Sequence, residues 1–305
     1  MFIEEYLREL REERYAPAAW LRYLRRAAAQ VREQLVASPG AVRSVWLLAL
    51  ALFAAAFVAA VLLVLAGERQ LAYAFFLATS LTLLPVFALV TLHLDLLRDL
   101  DGYRLSALNV PIALTLLRVT LAPGLVVALA RQRYAFACAT FALAAGSDVL
   151  DGWLARRWNQ VTRLGTVLDL IVDIVFNVSL FAGLAAAHLL PGWVLALAIA
   201  RYGILLVGGA SLYVFVGPVC IQPTAFGRAA GVAMAALVAF LLGLHLVPGR
   251  AAAPLVPLTE SALGVLLGLA VGQVIALGWF NLKLMREGAR VSGRVVTGVR
   301  FGARR

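Results

Sequence analysis

Two stretches, residues 45–66 and 70–94, run for 22 and 25 residues without a charged side chain. About 20 apolar residues suffice to cross a bilayer as a helix. In lipid every backbone N–H and C=O must be satisfied within the segment, so such runs are read as spanning helices. Six further apolar runs follow at 112–130, 134–147, 166–189, 192–216, 229–247 and 261–282. The fourth run overall, 134–147, is short alone and is expected to extend through the polar motif that follows it. The chain is thus expected to be an all-α integral membrane protein of about eight helices. Its composition agrees, with 63% hydrophobic residues and a mean hydropathy of +0.92, against about 45–50% apolar residues in soluble domains. The first run lies behind 44 largely polar and basic residues, so it does not read as a secretory signal with a short basic leader.

A net charge of +11 invites a nucleic-acid role, but the distribution argues for membrane topology instead. Eight arginines precede the first span and seven basic residues follow residue 282. Six more fall in the loops at 97–108, 156–163 and 217–228, while the alternate loops hold only Arg69, Arg131, Arg133 and Arg250. Basic residues gather on cytoplasmic loops. Both termini and the loops on their side are expected in the cytoplasm, and no nucleic-acid partner is expected. Cys138 and Cys220 fall on different sides of this topology, so no disulfide framework is expected, and His93, His188 and His245 are isolated at span ends.

Along the chain, residues 1–44 form a basic, amphipathic cytoplasmic segment with a break at Pro17. Its second half mixes Trp20, Leu21 and Leu24 with Arg22, Arg25, Arg26 and Arg32, which suits a helix lying on an anionic membrane face. The alternative is a solvated basic tail. Residues 45–100 read as a two-helix transmembrane hairpin turning at Gly67-Glu68-Arg69. It holds no intramembrane charge, so scaffolding or oligomerisation is expected of it. Residues 101–282 hold six helices and every unusual intramembrane polar residue. Residues 283–305 read as a basic cytoplasmic tail.

The chemistry concentrates in one stretch. Only six acidic residues lie beyond Tyr103, and four of them are Asp148, Asp151, Asp169 and Asp173. A carboxylate at the centre of a membrane helix costs about 2.5–3.5 kcal/mol even on lenient scales, so four together require a compensating partner. Asp148 and Asp151, three apart, share a helix face, and so do Asp169 and Asp173, four apart. With 158–164 as a short turn, two antiparallel helices direct two carboxylates each toward one point at the membrane edge. Hard oxygen donors suit Mg²⁺ or Mn²⁺, and four carboxylates can hold two ions, an arrangement suited to displacement at phosphorus. Gly152 and Ala155 leave room for a substrate, Arg156 offers a planar fork for phosphate, and Gly165 allows the two helices to approach closely.

The pattern Asp148-x-x-Asp151-Gly152-x-x-Ala155-Arg156, eight residues, then Gly165-x-x-x-Asp169-x-x-x-Asp173 resembles the signature of the CDP-alcohol phosphotransferases at every fixed position. That family transfers a substituted phosphate, usually phosphatidyl from CDP-diacylglycerol, to an acceptor hydroxyl and releases CMP. The resemblance implies a six-helix catalytic domain, a homodimer, and metal ligation by the four aspartates, with Asp173 as the general base. It implies CDP-lipid binding by Gly152, Ala155, Arg156 and Gly165. Asn109-Val-Pro111-Ile-Ala-Leu114-Thr115-Leu-Leu-Arg118 resembles the start of the family's first core helix, with Ile112 where an Asn is common, and adds Asn109 and Thr115 to the donor site. Phe226-Gly227-Arg228 resembles another family stretch, with Arg228 for a lysine. The family's usual D-P-x-A-D-K ending is replaced by Asp169-Leu-Ile-Val-Asp173-Ile. Arg118 lies about 10 Å into its span, where it either binds substrate or pairs with the aspartates. With Arg201 and Arg228 it supplies more positive charge than a neutral acceptor needs, which favours glycerol 3-phosphate or another phosphorylated polyol. The motif is most similar to the glycerol-phosphate branch and implies a bacterial inner-membrane enzyme of phospholipid biosynthesis. An uncharged acceptor (inositol, serine, phosphatidylglycerol or an amino alcohol) is the alternative within this chemistry. A cation transporter and a non-catalytic membrane scaffold are the alternatives outside it.

Overall fold

The computed structural model describes residues 17–209, 211, 225–246 and 254–291. Among them the regular structure is helical, with no β-strand and two isolated bridges. Among the described residues nine α-helices follow in order: α1 (Pro17–Ala37), α2 (Pro39–Leu65), α3 (Arg69–Leu92), α4 (Val110–Ala130), α5 (Tyr134–Arg157), α6 (Arg163–Ala186), α7 (Gly192–Gly203, continuing as a π-helical turn to Gly208), α8 (Ala225–Leu244) and α9 (Leu255–Val291). Helix α1 is described from Pro17 onward. Helix α2 begins at Pro39, six residues before the charge-free run, because proline suits the first helical turn. Residues 1–16, Cys220 and residues 292–305 lie outside the described residues, whereas 283–291 continue α9 rather than beginning a separate tail.

Four helices end in the same way. Gly67, Gln132, Asn159 and His188 all have φ between +52° and +85°. In each case the next residue donates its N–H back to the third-last helical carbonyl: Glu68 to Leu63, Arg133 to Ala128, Gln160 to Ala155 and Leu189 to Leu184, all at 2.8–2.9 Å. This left-handed stop satisfies carbonyls that a membrane-edge helix end would otherwise leave unpaired. It also reverses the chain within a few residues: α2 packs on α3, α4 on α5 and α6 on α7, whereas α5 and α6 are joined by a short turn and are held together through their common neighbour α4.

Helix α4 is the centre of the bundle, packed against α3, α5 and α6. Its C-terminal half, with the N-terminal half of α5, the C-terminal half of α6 and with α7, α8 and α9, surrounds a core containing Leu125, Leu129, Phe181, Leu184, Leu241 and Leu267. Its first turns pack instead on the hairpin, where Phe87 and Val90 of α3 meet Ile112, Leu116, Leu164 and Leu168. Farther along α4 the two helices are also in close contact, where a Cβ at Gly124 would lie 2.8 Å from the Phe75 ring.

Among the described residues six helices are long and apolar enough to cross a membrane: α2, α3, α4, α6, α8 and the Leu255–Phe280 part of α9. The other two of the eight expected runs correspond to α5 and α7. Helix α5 does continue the short fourth run through the aspartates to Arg157, but its polar motif removes it from this set, and α7 is a shorter apolar helix.

Candidate active site

All the residues of the aspartate motif lie at one end of the bundle, on the last turns of α5 and the first turns of α6. Thr162 caps α6, its Oγ1 accepting the Gly165 N–H at 2.9 Å. This is the hydroxyl-to-N3 bond that starts helices well. Carboxylate oxygens of Asp148, Asp169 and Asp173 can lie within 4.8 Å of one another. Asp151 is different. It is buried, and its Oδ2 accepts from Thr115 Oγ1 at 2.9 Å.

Arg118 enters this cluster from α4. Its Nη2 lies 2.7 Å from Asp148, 2.8 Å from Asp151 and 3.4 Å from Asp169, and its Nη1 pairs with Asp173. Of the two readings left open by the sequence, pairing with the aspartates describes its contacts. One guanidinium against four carboxylates leaves a formal charge of −3. At 4.8 Å and the effective dielectric of a protein site, each like-charge pair costs on the order of 3 kcal/mol. The donor set therefore fits a hard divalent cation: oxygen ligands only, converging, and short of positive charge.

Two cavities meet at this cluster. The first, about 200 Å³, is lined by Thr115, Asp151, Gly152, Ala155, Arg156, Gly165 and Asp169, with Pro111 and Ile112 as an apolar wall and Gln160 at its edge. Five of the residues expected to bind a CDP-linked lipid (Gly152, Ala155, Arg156, Gly165 and Thr115) line it together. The sixth, Asn109, does not. Its Oδ1 caps α4 by accepting the Ile112 N–H at 3.2 Å, and its Nδ2 donates to the Gln160 carbonyl at 2.7 Å. A side-chain cap directly before a Val-Pro helix start was a readable signal for that role.

The second cavity, about 320 Å³, lies on the other side of the cluster. Arg118, Asp148, Asp173, Asn177, Arg201 and Tyr202 supply its polar lining, and Phe141, Phe176, Phe181 and Val238 are among its apolar walls. Arg201 contacts the Met234 sulfur at 3.0 Å and lies over the Tyr202 ring. Among the described residues no carboxylate pairs with it. Arg228 is exposed, and although Gly227 and Gly231 line the cavity, Arg228 does not. The structure does not bring the three arginines together.

The segment between α3 and α4 was not singled out in the sequence. It straps the hairpin to the motif's turn: Arg163 donates its N–H to the Arg98 carbonyl at 3.0 Å, Asp99 bridges Thr162, and the Leu108 N–H reaches Ser44 Oγ at 2.9 Å.

Fold and site together define an integral membrane protein with a carboxylate-centred site between two cavities. The chain belongs to the CDP-alcohol phosphatidyltransferase family, whose model matches residues 108–277, more than half its length. It is similar to a cardiolipin synthase (CMP-forming) of Streptomyces coelicolor, 42% identical over 76 residues, which cover 25% of this chain and 35% of that protein. It is also similar to CDP-diacylglycerol–glycerol-3-phosphate 3-phosphatidyltransferases of Sodalis glossinidius and Yersinia pestis. Each is 43% identical over 90 residues, covering 28% of this chain and 49% of the relative. The chain thus spans a third to a half of the length of these curated relatives. No solved structure matches it.

Proposed function

We propose that this protein transfers a phosphatidyl group from CDP-diacylglycerol to the hydroxyl of a phosphorylated polyol such as glycerol 3-phosphate, releasing CMP. One observation carries the reading: the aspartate cluster forms the shared wall of two cavities, so a donor on one side and an acceptor on the other meet at the carboxylates. The small residues of the first cavity admit a nucleotide, and Arg156 at its rim faces the phosphates. A divalent cation, Mg²⁺ or Mn²⁺, held by Asp148, Asp151, Asp169 and Asp173 would neutralise the diphosphate and align its β-phosphorus. Asp173, on the acceptor side, takes the hydroxyl proton as the new O–P bond forms. The bond from the β-phosphorus to the bridging oxygen breaks, and that oxygen leaves with CMP. Thr115 and Arg118 hold Asp151 and Asp173 in position for this.

Arg201 supports a phosphorylated acceptor, because a guanidinium in a largely apolar cavity, with no carboxylate partner among the described residues, calls for an anion. The apolar depth of the same cavity favours a second reading, in which the acceptor hydroxyl is carried by a lipid such as phosphatidylglycerol. The basic end of the bundle, bearing Arg98, Arg104, Arg156, Arg157 and Arg163, is proposed to face the cytoplasm by the positive-inside rule. On this reading residues 101–282 form the catalytic domain of a homodimeric bacterial inner-membrane enzyme. Residues 45–100 are a transmembrane hairpin bracing it, and residues 1–44 and 283–305 are basic flanks on anionic lipid. CMP release from CDP-diacylglycerol, measured in detergent with glycerol 3-phosphate, phosphatidylglycerol, inositol and serine, with and without chelator, tests the proposal. Release that ignores every acceptor and survives chelator would defeat it.

A further inference from the structure

Gln160 lies in the eight-residue gap of the motif, where the family pattern fixes no residue type. The backbone nevertheless holds it tightly. Asn159 adopts φ +52° to end α5, which folds the Gln160 N–H back onto the Ala155 carbonyl at 2.9 Å. From the other side Asn109 Nδ2 donates to the Gln160 carbonyl at 2.7 Å. Two residues on, Thr162 is fixed by its bridge to Asp99 and by capping α6. A residue gripped this way has a defined side-chain direction.

That side chain lines the first cavity, and its Oε1 is shielded from solvent without a hydrogen-bond partner. Native proteins rarely leave a buried amide oxygen unpaired unless it has a function. The surroundings indicate what completes it. Asp151 and Asp169 line the cavity and mark where a diphosphate belongs. Gln160 lies beyond the last turns of α5, and from Asp151 to Arg157 the helix rises about 9 Å. That is the reach of a nucleoside beyond its phosphate. In the same cavity, Ile112 and Pro111 offer an apolar face, and Gly152, Ala155 and Gly165 leave space for a flat ring. The space at Gly165 is set closely: a Cβ there would come within 2.9 Å of Thr162 Oγ1 and 3.5 Å of Ile112 Cγ1.

We propose that the Gln160 carboxamide contacts the nucleobase of the donor and hydrogen-bonds the polar edge of its cytosine. This rests on the reading of the first cavity as a CDP-lipid site and deepens it. Cytosine presents an N4 amino donor where uracil presents an O4 acceptor. A carboxamide carries both an acceptor and donors. Its Oε1 accepts from the cytosine amine and its Nε2 donates to the neighbouring ring nitrogen. An acceptor-only group at the same place takes the amine equally well and repels the uracil oxygen.

The test measures binding of CMP and UMP to the full-length protein in detergent with Mg²⁺, by calorimetry, for wild type, Gln160→Met and Gln160→Glu. Gln160→Met keeps the side chain's length and should weaken CMP about tenfold, as expected for loss of a buried hydrogen bond. Gln160→Glu should lower both affinities through its charge but raise the CMP-to-UMP ratio at least severalfold above that of Gln160→Met. A ratio equal within twofold in all three proteins overturns the proposal while leaving the CDP-lipid site standing. A wild-type protein that binds neither nucleotide overturns the donor-site reading itself.

Discussion

Replacing Arg118 by Gln removes one cation from among four carboxylates, and the geometry sets the size of the effect. Three aspartates approach its Nη2 at 2.7–3.4 Å and the fourth pairs with its Nη1. Unit charges 3–4 Å apart attract by about 4–5 kcal/mol at an effective dielectric near 20. Most of that gross attraction is offset. The side chains of Asp148, Asp169 and Asp173 are about half exposed and can turn to water, and Arg118 no longer has to be desolvated. Asp151, with a side chain only 7% exposed, cannot escape in this way. The net loss is taken as that of breaking one buried pair, about 3–5 kcal/mol, which for a chain of this size is roughly 10 °C in Tm. Thermal unfolding of purified Arg118→Gln, followed by tryptophan fluorescence in detergent with chelator, should show this drop. Millimolar Mg²⁺ should narrow the gap, because a cation bound only to the folded site stabilises it. Equal melting temperatures in chelator would mean the carboxylates need no counter-charge. A gap that Mg²⁺ leaves unchanged would make Arg118 a packing residue.

Asp173→Asn should retain CMP binding while losing transfer by at least a hundredfold, since it removes the proton acceptor and leaves Asp148, Asp151 and Asp169 to hold a cation. Loss of both in proportion would reduce Asp173 to a structural role. Gly165→Ala forces a Cβ to 2.9 Å from the oxygen that caps α6. It should lower stability by about 1 kcal/mol and raise KM for the donor more than it lowers kcat; initial rates at varied donor concentration check this. Arg201→Ala should raise KM for a phosphorylated acceptor at least tenfold, whereas Arg228→Ala, whose side chain lies outside the acceptor cavity, should change it less than twofold. Equal effects in the acceptor titration would return Arg228 to the site.

Much of this was legible in the sequence because it is carried by local patterns. Charge-free runs give helices, and Asp148, Asp151, Asp169 and Asp173 at helical spacing give the site. The long-range contacts were not legible. No local pattern relates Arg163 to Arg98, or Leu108 to Ser44, yet these bonds tie the hairpin to the turn of the aspartate motif and to the start of α4. Asn109 looked like a donor ligand by resemblance, and its two hydrogen bonds instead hold α4 and Gln160. Arg201 and Arg228 looked equivalent as cations. One faces a cavity and the other does not, because only the assembled helices decide which face of α8 looks inward. The Thr115–Asp151 bond depends likewise on the packing of α4 against α5, which a motif confined to α5 and α6 does not contain.

The position of the aspartates between two chambers also bears on the order of events. Neither substrate has to vacate a shared chamber before the other can enter, and no side chain at the wall has to carry the phosphatidyl group between two half-reactions. On the proposed function, turnover should then run through a ternary complex in a single in-line step. Double-reciprocal plots for the two substrates should intersect rather than run parallel, and the configuration at a chirally labelled phosphorus should invert.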